Sequence, residues 1–459
     1  MKFTQFPRRR SDPKSRPVRL HLEVLESRVL PSLTPHLLKD ISPEMANTGP
    51  GFFTAVGATV FFRANNGVSG FELWKSNGTA AGTVLVKDIN PGSVLSFPTY
   101  LTNVNGTLFF KANNGASGRE LWKSNGAAAG TVLVRDILPG SASSDPYYFT
   151  AVGGTLFFQA NDGTHGAELW KSNGTAAGTV LVKDINPGSS GSAGAGINVN
   201  GTLFFEAYNG VIGAELWKSN GTPAGTVLVK DIFPGPGSSA PSRMTNVNGT
   251  CFFQANNGVS GIELWRSNGT APGTALVKDI VPGANGSFPY LLTNVNGSLF
   301  FNTDDQHSNE LWASNGVAAG TVLIKDINPV APAGLALLTN INGTLFFSAN
   351  DGVHGFEPWV MGPVPAATSA PPVVDSVTFL AAPEVAFSVA APQRVSGGAP
   401  ATSPARSQSL RATPGMGEIP SALAKPPDDE ATHASTVYAH PKHADDDQGK
   451  LLAWFTRRE

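Results

Sequence analysis

The chain has 459 residues, 41% hydrophobic and 14% charged, with a formal net charge of −2. That hydrophobic content supplies a core and excludes wholesale disorder, and the near-neutral charge excludes a nucleic-acid or membrane-surface protein held by bulk electrostatics. A single cysteine, Cys251, excludes an intrachain disulfide and a cysteine-based zinc site, while no uncharged apolar run reaches the roughly 18 residues of a membrane span.

Residues 1–33 form a basic leader. Its first 30 residues hold eight Lys/Arg and three acids, without the apolar stretch of an ordinary secretory signal.

Residues 34–362 are dominated by a repeat, which is the first thing to read in any chain. Seven tryptophans, Trp74, Trp122, Trp170, Trp217, Trp265, Trp312 and Trp359, recur every 47 or 48 residues. The second copy reads YLTNV (100–104), an Asn105-Gly106 turn, TLFFKAN (107–113), RELWK (119–123) and TVLVRDI (131–137). Four short runs rich in Val, Leu, Phe, Thr and Trp, bounded by Gly and Asn, predict four strands. Asn-Gly supplies the two positive-φ residues of a tight hairpin between the first two, and Gly57 and Gly153 keep that turn in the first and third copies. Because the strands are almost continuously apolar, both faces must be covered, as when one blade packs on the next.

The expected fold is therefore all-β: a seven-bladed β-propeller of four-stranded antiparallel blades. Phase predicts how the ring closes. The outer-strand signature Lys/Arg-Asp-Ile occurs first at 39–41, before any tryptophan, and is missing after Trp359, so residues 36–41 are expected to complete the last blade and remove an open sheet edge. Residues 363–459, with 13 of the 35 prolines and many Ala and Ser, are expected to be a disordered tail.

Within a blade, placing Trp74 opposite Leu85 puts Glu72 opposite Lys87, an expected ion pair of about 0.2–1 kcal/mol. The tryptophans are expected between blades, where each can bury about 150–250 Å². Cys251 occupies a position that is Val or Leu in the other copies and reads as a small buried hydrophobe.

Two resemblances add to this reading. Leu22-Glu23-Val24-Leu25-Glu26-Ser27-Arg28-Val29-Leu30-Pro31-Ser32 resembles the LExLExR leader of planctomycete extracellular proteins, which implies export to the cell surface or medium. Glu168-Leu169-Trp170-Lys171-Ser172-Asn173-Gly174-Thr175 resembles the ELWxxDGT repeat of bacterial, mostly exported proteins. That family brings no established activity, and this chain has Ser-Asn-Gly where Asp-Gly is usual, which weakens any cation site resting on that Asp.

Catalysis requires one centre that differs from its copies, and few residues break the symmetry. His165 and His354, at equivalent loop positions in two repeats, are candidate ligand-binding residues. Asp304, Asp305 and His307, in the irregular loop of the sixth repeat, are the candidate metal ligands. No catalytic residue and no cofactor are expected. The sequence points to an extracellular or cell-surface, non-catalytic binding or scaffold protein, monomeric, presenting a propeller surface to a protein or glycan. The alternative is a propeller hydrolase or lyase acting on polysaccharide through an acid such as Asp304 or Asp305.

Overall fold

A computed structural model describes residues 35–43, 48–188, 191–304 and 309–362. The expected leader and the expected tail lie outside these residues. The described residues form a seven-bladed β-propeller in which each repeat is one antiparallel sheet with strands in chain order. The second blade is typical, with strands Thr99–Val104, Thr107–Asn113, Arg119–Ser124 and Val132–Arg135. Six blades have four strands and the seventh has three: Ala336–Ile341, Thr344–Asn350 and Phe356–Met361.

The hairpins follow the turn chemistry. Asn105 and Gly106 sit at φ 48° and 85°, and the four other Asn-Gly turns match them. Gly57 and Gly153 take positive φ at the first turn position only, as a II′ turn requires of its Gly.

Blades meet through apolar faces. Phe109, Leu121, Val134 and Ile137 of the second blade pack on Leu156, Phe158, Ala160 and Trp170 of the third, and Cys251 is buried in the equivalent cluster between the fourth and fifth. Every described strand is thus covered by a neighbouring sheet except at one seam. Phe346 of the seventh blade is 40% exposed, whereas its six counterparts, such as Phe109 and Phe300, are 2–4% exposed.

That seam corrects the expected closure. Residues 36–41 form no strand, and Phe356–Met361 pairs only with Thr344–Asn350. Pro358 stands where other blades have Leu, and a residue without an N–H belongs on a sheet edge. The segment docks on the first blade instead. Ile41 packs on Phe62, Ala64 and Trp74, and Lys39 Nζ donates to the Thr83 carbonyl at 2.7 Å. These are the side-chain contacts that each outer strand makes with the following blade, without the backbone ladder to the preceding one.

Candidate ligand-binding face

The repeated charges hold the ring together. Glu120 is fully buried, and its carboxylate accepts from the Ile137 and Ser144 amides at 3.0 and 2.8 Å and from the Ser144 hydroxyl at 2.6 Å. Glu72, Glu168, Glu215, Glu263 and Glu310 are equally buried and accept from matching loops. Burial pushes Glu72 and Glu120 up to about 7 against these hydrogen bonds, and raises Glu168, Glu215 and Glu263 in the same direction. Each carboxylate fastens the loop leading into the next blade.

The expected Glu72–Lys87 pair is not formed. Trp74 does lie opposite Leu85, but a register shift between Leu73 and Trp74 places Lys87 opposite Leu73, and a one-residue slip turns a side chain to the other face. Lys87 crosses to the next blade, donating to the Thr131 carbonyl and lying 5.9 Å from the Trp122 ring centroid. The tryptophan reading holds: Trp122 is buried among Phe61, Leu73, Val86 and Ile89 of the first blade. Cys251 is also buried, and desolvation raises its thiol far above the ordinary range, so it is no nucleophile.

His165 and His354 lie between the second and third strands of the third and seventh blades. Their Nδ1 atoms lie 2.8 and 2.7 Å from Asp162 and Asp351 Oδ2. Each Asp also caps its own turn by accepting from two amides. The carboxylate raises each imidazole and is itself lowered. The two pairs belong to separate blades, with three blades between them in chain order. Asp304 is exposed at the end of Ser298–Thr303, its amide bonded to the Ser287 carbonyl. Asp305 and His307 lie outside the described residues. Among the described residues no three His, Cys, Asp or Glu side chains gather as a metal site would require.

The structure draws attention to a column that sequence reasoning missed. The fifth residue of the second strand is Arg63, Lys111, Gln159, Glu206, Gln254, Asn302 or Ser348, so that only Gln recurs although its neighbours barely change. It lies at the end of each blade that also carries the His loops. All seven first strands carry a bulge near there, and in six of them Phe52, Tyr100, Tyr148, Arg243, Leu291 or Leu337 is held at φ between 55° and 60°. Bulky residues rarely adopt this conformation, and a bulge re-aims the side chain it carries. Strained backbone of this kind clusters at ligand sites.

Around this column the chemistry is specific to each blade. Arg63 lies 4.6, 5.1 and 4.1 Å from the rings of Phe52, Phe71 and Phe97. Lys111 is buried, 3.7 Å from the Tyr147 centroid and 3.7 Å from Asp145 Oδ1. Gln159 donates to the Ala193 carbonyl, Gln254 to Ser242 Oγ at 2.9 Å, and Asn302 to Tyr290 Oη at 2.7 Å. Glu206 is half-buried and raised to about 7 by desolvation and by nearby Glu215. The face combines aromatic surface with differently charged stations, as recognition of an asymmetric ligand requires. The missed signal was available: when seven copies are aligned, the variable column is the informative one.

No family model and no curated protein matches the chain. Solved structures do resemble it. A structure from a study of two prolyl endopeptidases matches at 10% identity and TM-score 0.43, covering 68% of this chain and 49% of that one. Prolyl oligopeptidase B from Galerina marginata matches at 11% identity and TM-score 0.41, with 66% and 47% covered. The β-propeller domain of the Trilobed protease from Pyrococcus furiosus matches at 7% identity and TM-score 0.38, with 68% and 95% covered. The chain spans about half the length of the two oligopeptidase structures. At these identities the likeness concerns the fold alone.

Proposed function

We propose that this is an exported or cell-surface, monomeric, non-catalytic binding protein of the ELWxxDGT-repeat kind, and that the blade end bearing the variable column is its ligand face. The observation carrying this reading is the division of labour among the polar residues. The Glu and the Lys or Arg that recur in the first six blades are spent on loops and blade junctions, while the fifth residue of the second strand varies in charge and polarity beside first-strand residues held at positive φ, three of them aromatic. A protein or glycan with several distinct groups suits such a face. Export rests on the leader at 22–32, and no helix among the described residues is long and apolar enough to cross a membrane. Glycan and peptide arrays run beside a polysaccharide-hydrolysis panel test the proposal. Saturable binding without turnover supports it. Turnover that disappears in Asp304→Asn or Asp305→Asn would replace it with the hydrolase or lyase reading.

A further inference from the structure

The seam between the seventh and first blades is open on both sides. Val60 of the first blade is 36% exposed, whereas its six counterparts, such as Leu108 and Leu345, are at most 2% exposed. On the seventh blade Phe346, Ile341 and Val360 are exposed as well. The loops agree. At five junctions a Cβ on the glycine of the Ser-Asn-Gly loop would lie 3.0–3.2 Å from a phenylalanine of the preceding blade, as at Gly126 and Phe61 or Gly174 and Phe109. At Gly78, whose partner by the repeat is Phe346, a Cβ would meet nothing within 4 Å.

The two lips nevertheless carry the groups that close the other junctions. Glu357 stands at the position of the buried glutamates, opposite Ala349 as Glu72 is opposite Ala64, and is exposed. Thr48 stands where Ser96 does in the next unit, because its carbonyl accepts from Asn65 as that of Ser96 accepts from Asn113, both at 2.9 Å. Ser96 donates to Glu72 through its amide and hydroxyl, so Thr48 offers Glu357 the same two donors. What the seam lacks is a clamp. Each of the other six junctions has a lysine bonded to a glycine carbonyl of the next blade, an asparagine bonded to a first-strand carbonyl of the preceding one, or both. At the seam these two positions are Val360 and Ala55, which have no donor, and Pro358 denies the edge an N–H for a ladder.

We infer that the ring is a two-state clasp: the open form of the structure exchanges with a closed one in which the seventh blade packs face to face on the first, with Phe346 against Gly78 and Val60 and Glu357 accepting from Thr48. Burial of the apolar lips favours closing. Without clamp or ladder that burial is its main support, so this joint opens where the other six stay shut, and both states are populated. The joint also has a place in the ring that matters for recognition. Arg63 and Ser348, two members of the variable column, stand on its two sides, so closing sets the spacing between them. The clasp itself does not rest on the binding role proposed above.

Val68, Ala116 and Val353 occupy equivalent exposed loop positions in the first, second and seventh blades, which supplies a ruler. The full chain, with Cys251→Val to remove the native thiol, carries spin labels at Val68→Cys and Val353→Cys across the seam, or at Val68→Cys and Ala116→Cys across a closed junction. Distances are read by double electron–electron resonance, with and without excess unlabelled chain. The closed-junction pair should give one distance and the seam pair two, the shorter matching the closed junction. Val360→Lys, which supplies a clamp to the Gly78 carbonyl, should raise the ratio of shorter to longer at least threefold, and Phe346→Asp should lower it at least threefold, while an unchanged closed-junction distance reports intact blades. A single seam distance in all three forms, long or short, would overturn the clasp, as would two distances in a ratio that neither variant moves. A shorter distance that vanishes on dilution with unlabelled chain would also overturn it, by assigning the contact to a second copy.

Discussion

Lys87 donates to the Thr131 carbonyl of the following blade at 2.9 Å, while Glu72, two residues before Trp74 on the neighbouring strand, accepts from Ser96 and Ile89 of the connecting loop. The two repeated charges thus act in different joints: lysine locks a blade to its successor's outer edge, and glutamate fastens the loop by which the chain reaches that successor. Both joints recur around the ring, at Lys183 and Thr226 or Glu168 and Ser192.

Substitution should separate these joints. Glu120→Ala removes the acceptor for the Ile137 and Ser144 amides and the Ser144 hydroxyl, leaving buried donors unmet at a cost of about 3 kcal/mol. Lys87→Met keeps the stem over Trp122 and loses a single partly buried hydrogen bond, about 1 kcal/mol. Urea unfolding of the two variants should show the glutamate change as clearly the larger. Equal losses would contradict the larger role assigned to the loop bond.

The raised glutamates make stability depend on pH. Their folded-state pKa lies above the unfolded value, near 7 for Glu72 and Glu120, so the native state holds more protons between about 4.5 and 7. Stability from this source is fully present below the unfolded value and is lost as pH rises through about 7. Unfolding midpoints should therefore fall from pH 5.5 to pH 8. Glu120→Gln, which cannot ionise, should flatten part of that slope.

The N-terminal segment should matter although it forms no ladder. Ile41 covers Phe62 and Trp74, and Lys39 bonds to Thr83. Deleting residues 35–42 exposes that face and should lower Tm by about 5 °C, with Ile41→Ala giving about 1–2 kcal/mol of the loss. An unchanged melt would mean that the contact contributes nothing.

The histidine loops give a local titration. Asp162 beside His165 raises the imidazole above its ordinary value, so the pair's contribution is present at acid pH and is lost as pH rises through the folded value. Asp162→Asn keeps the turn, as Asn114 does in the second blade, and should return the His165 titration toward its ordinary midpoint by NMR. A midpoint that does not move would show that the carboxylate is not responsible.

The blades were legible in the sequence because Asn-Gly turns, apolar runs and the tryptophan period all specify the same short strands. The Trp74–Leu85 register was legible too. The Glu72–Lys87 pair was not, because a bulge between Leu73 and Trp74 shifts the pairing, and bulges leave little trace in composition. Closure by residues 36–41 followed from counting strands, and counting does not register that Pro358 lacks the N–H of an interior strand. The site was hidden for a different reason. Looking for a lone nucleophile or metal cluster passes over Arg63, Lys111 and Glu206, each ordinary alone and informative only as one column compared across blades.

The central claim is that ligand recognition belongs to the blade end carrying that column. The direct measurement is affinity for the best ligand from the arrays in two full-length variants, one with Lys111→Gln and Glu206→Gln, the other with Asn125→Ala and Asn173→Ala in the turns at the opposite end, each checked for an unchanged fold. The account predicts at least a tenfold loss in the first and less than a twofold change in the second. Full affinity in the first, or loss confined to the second, would contradict it.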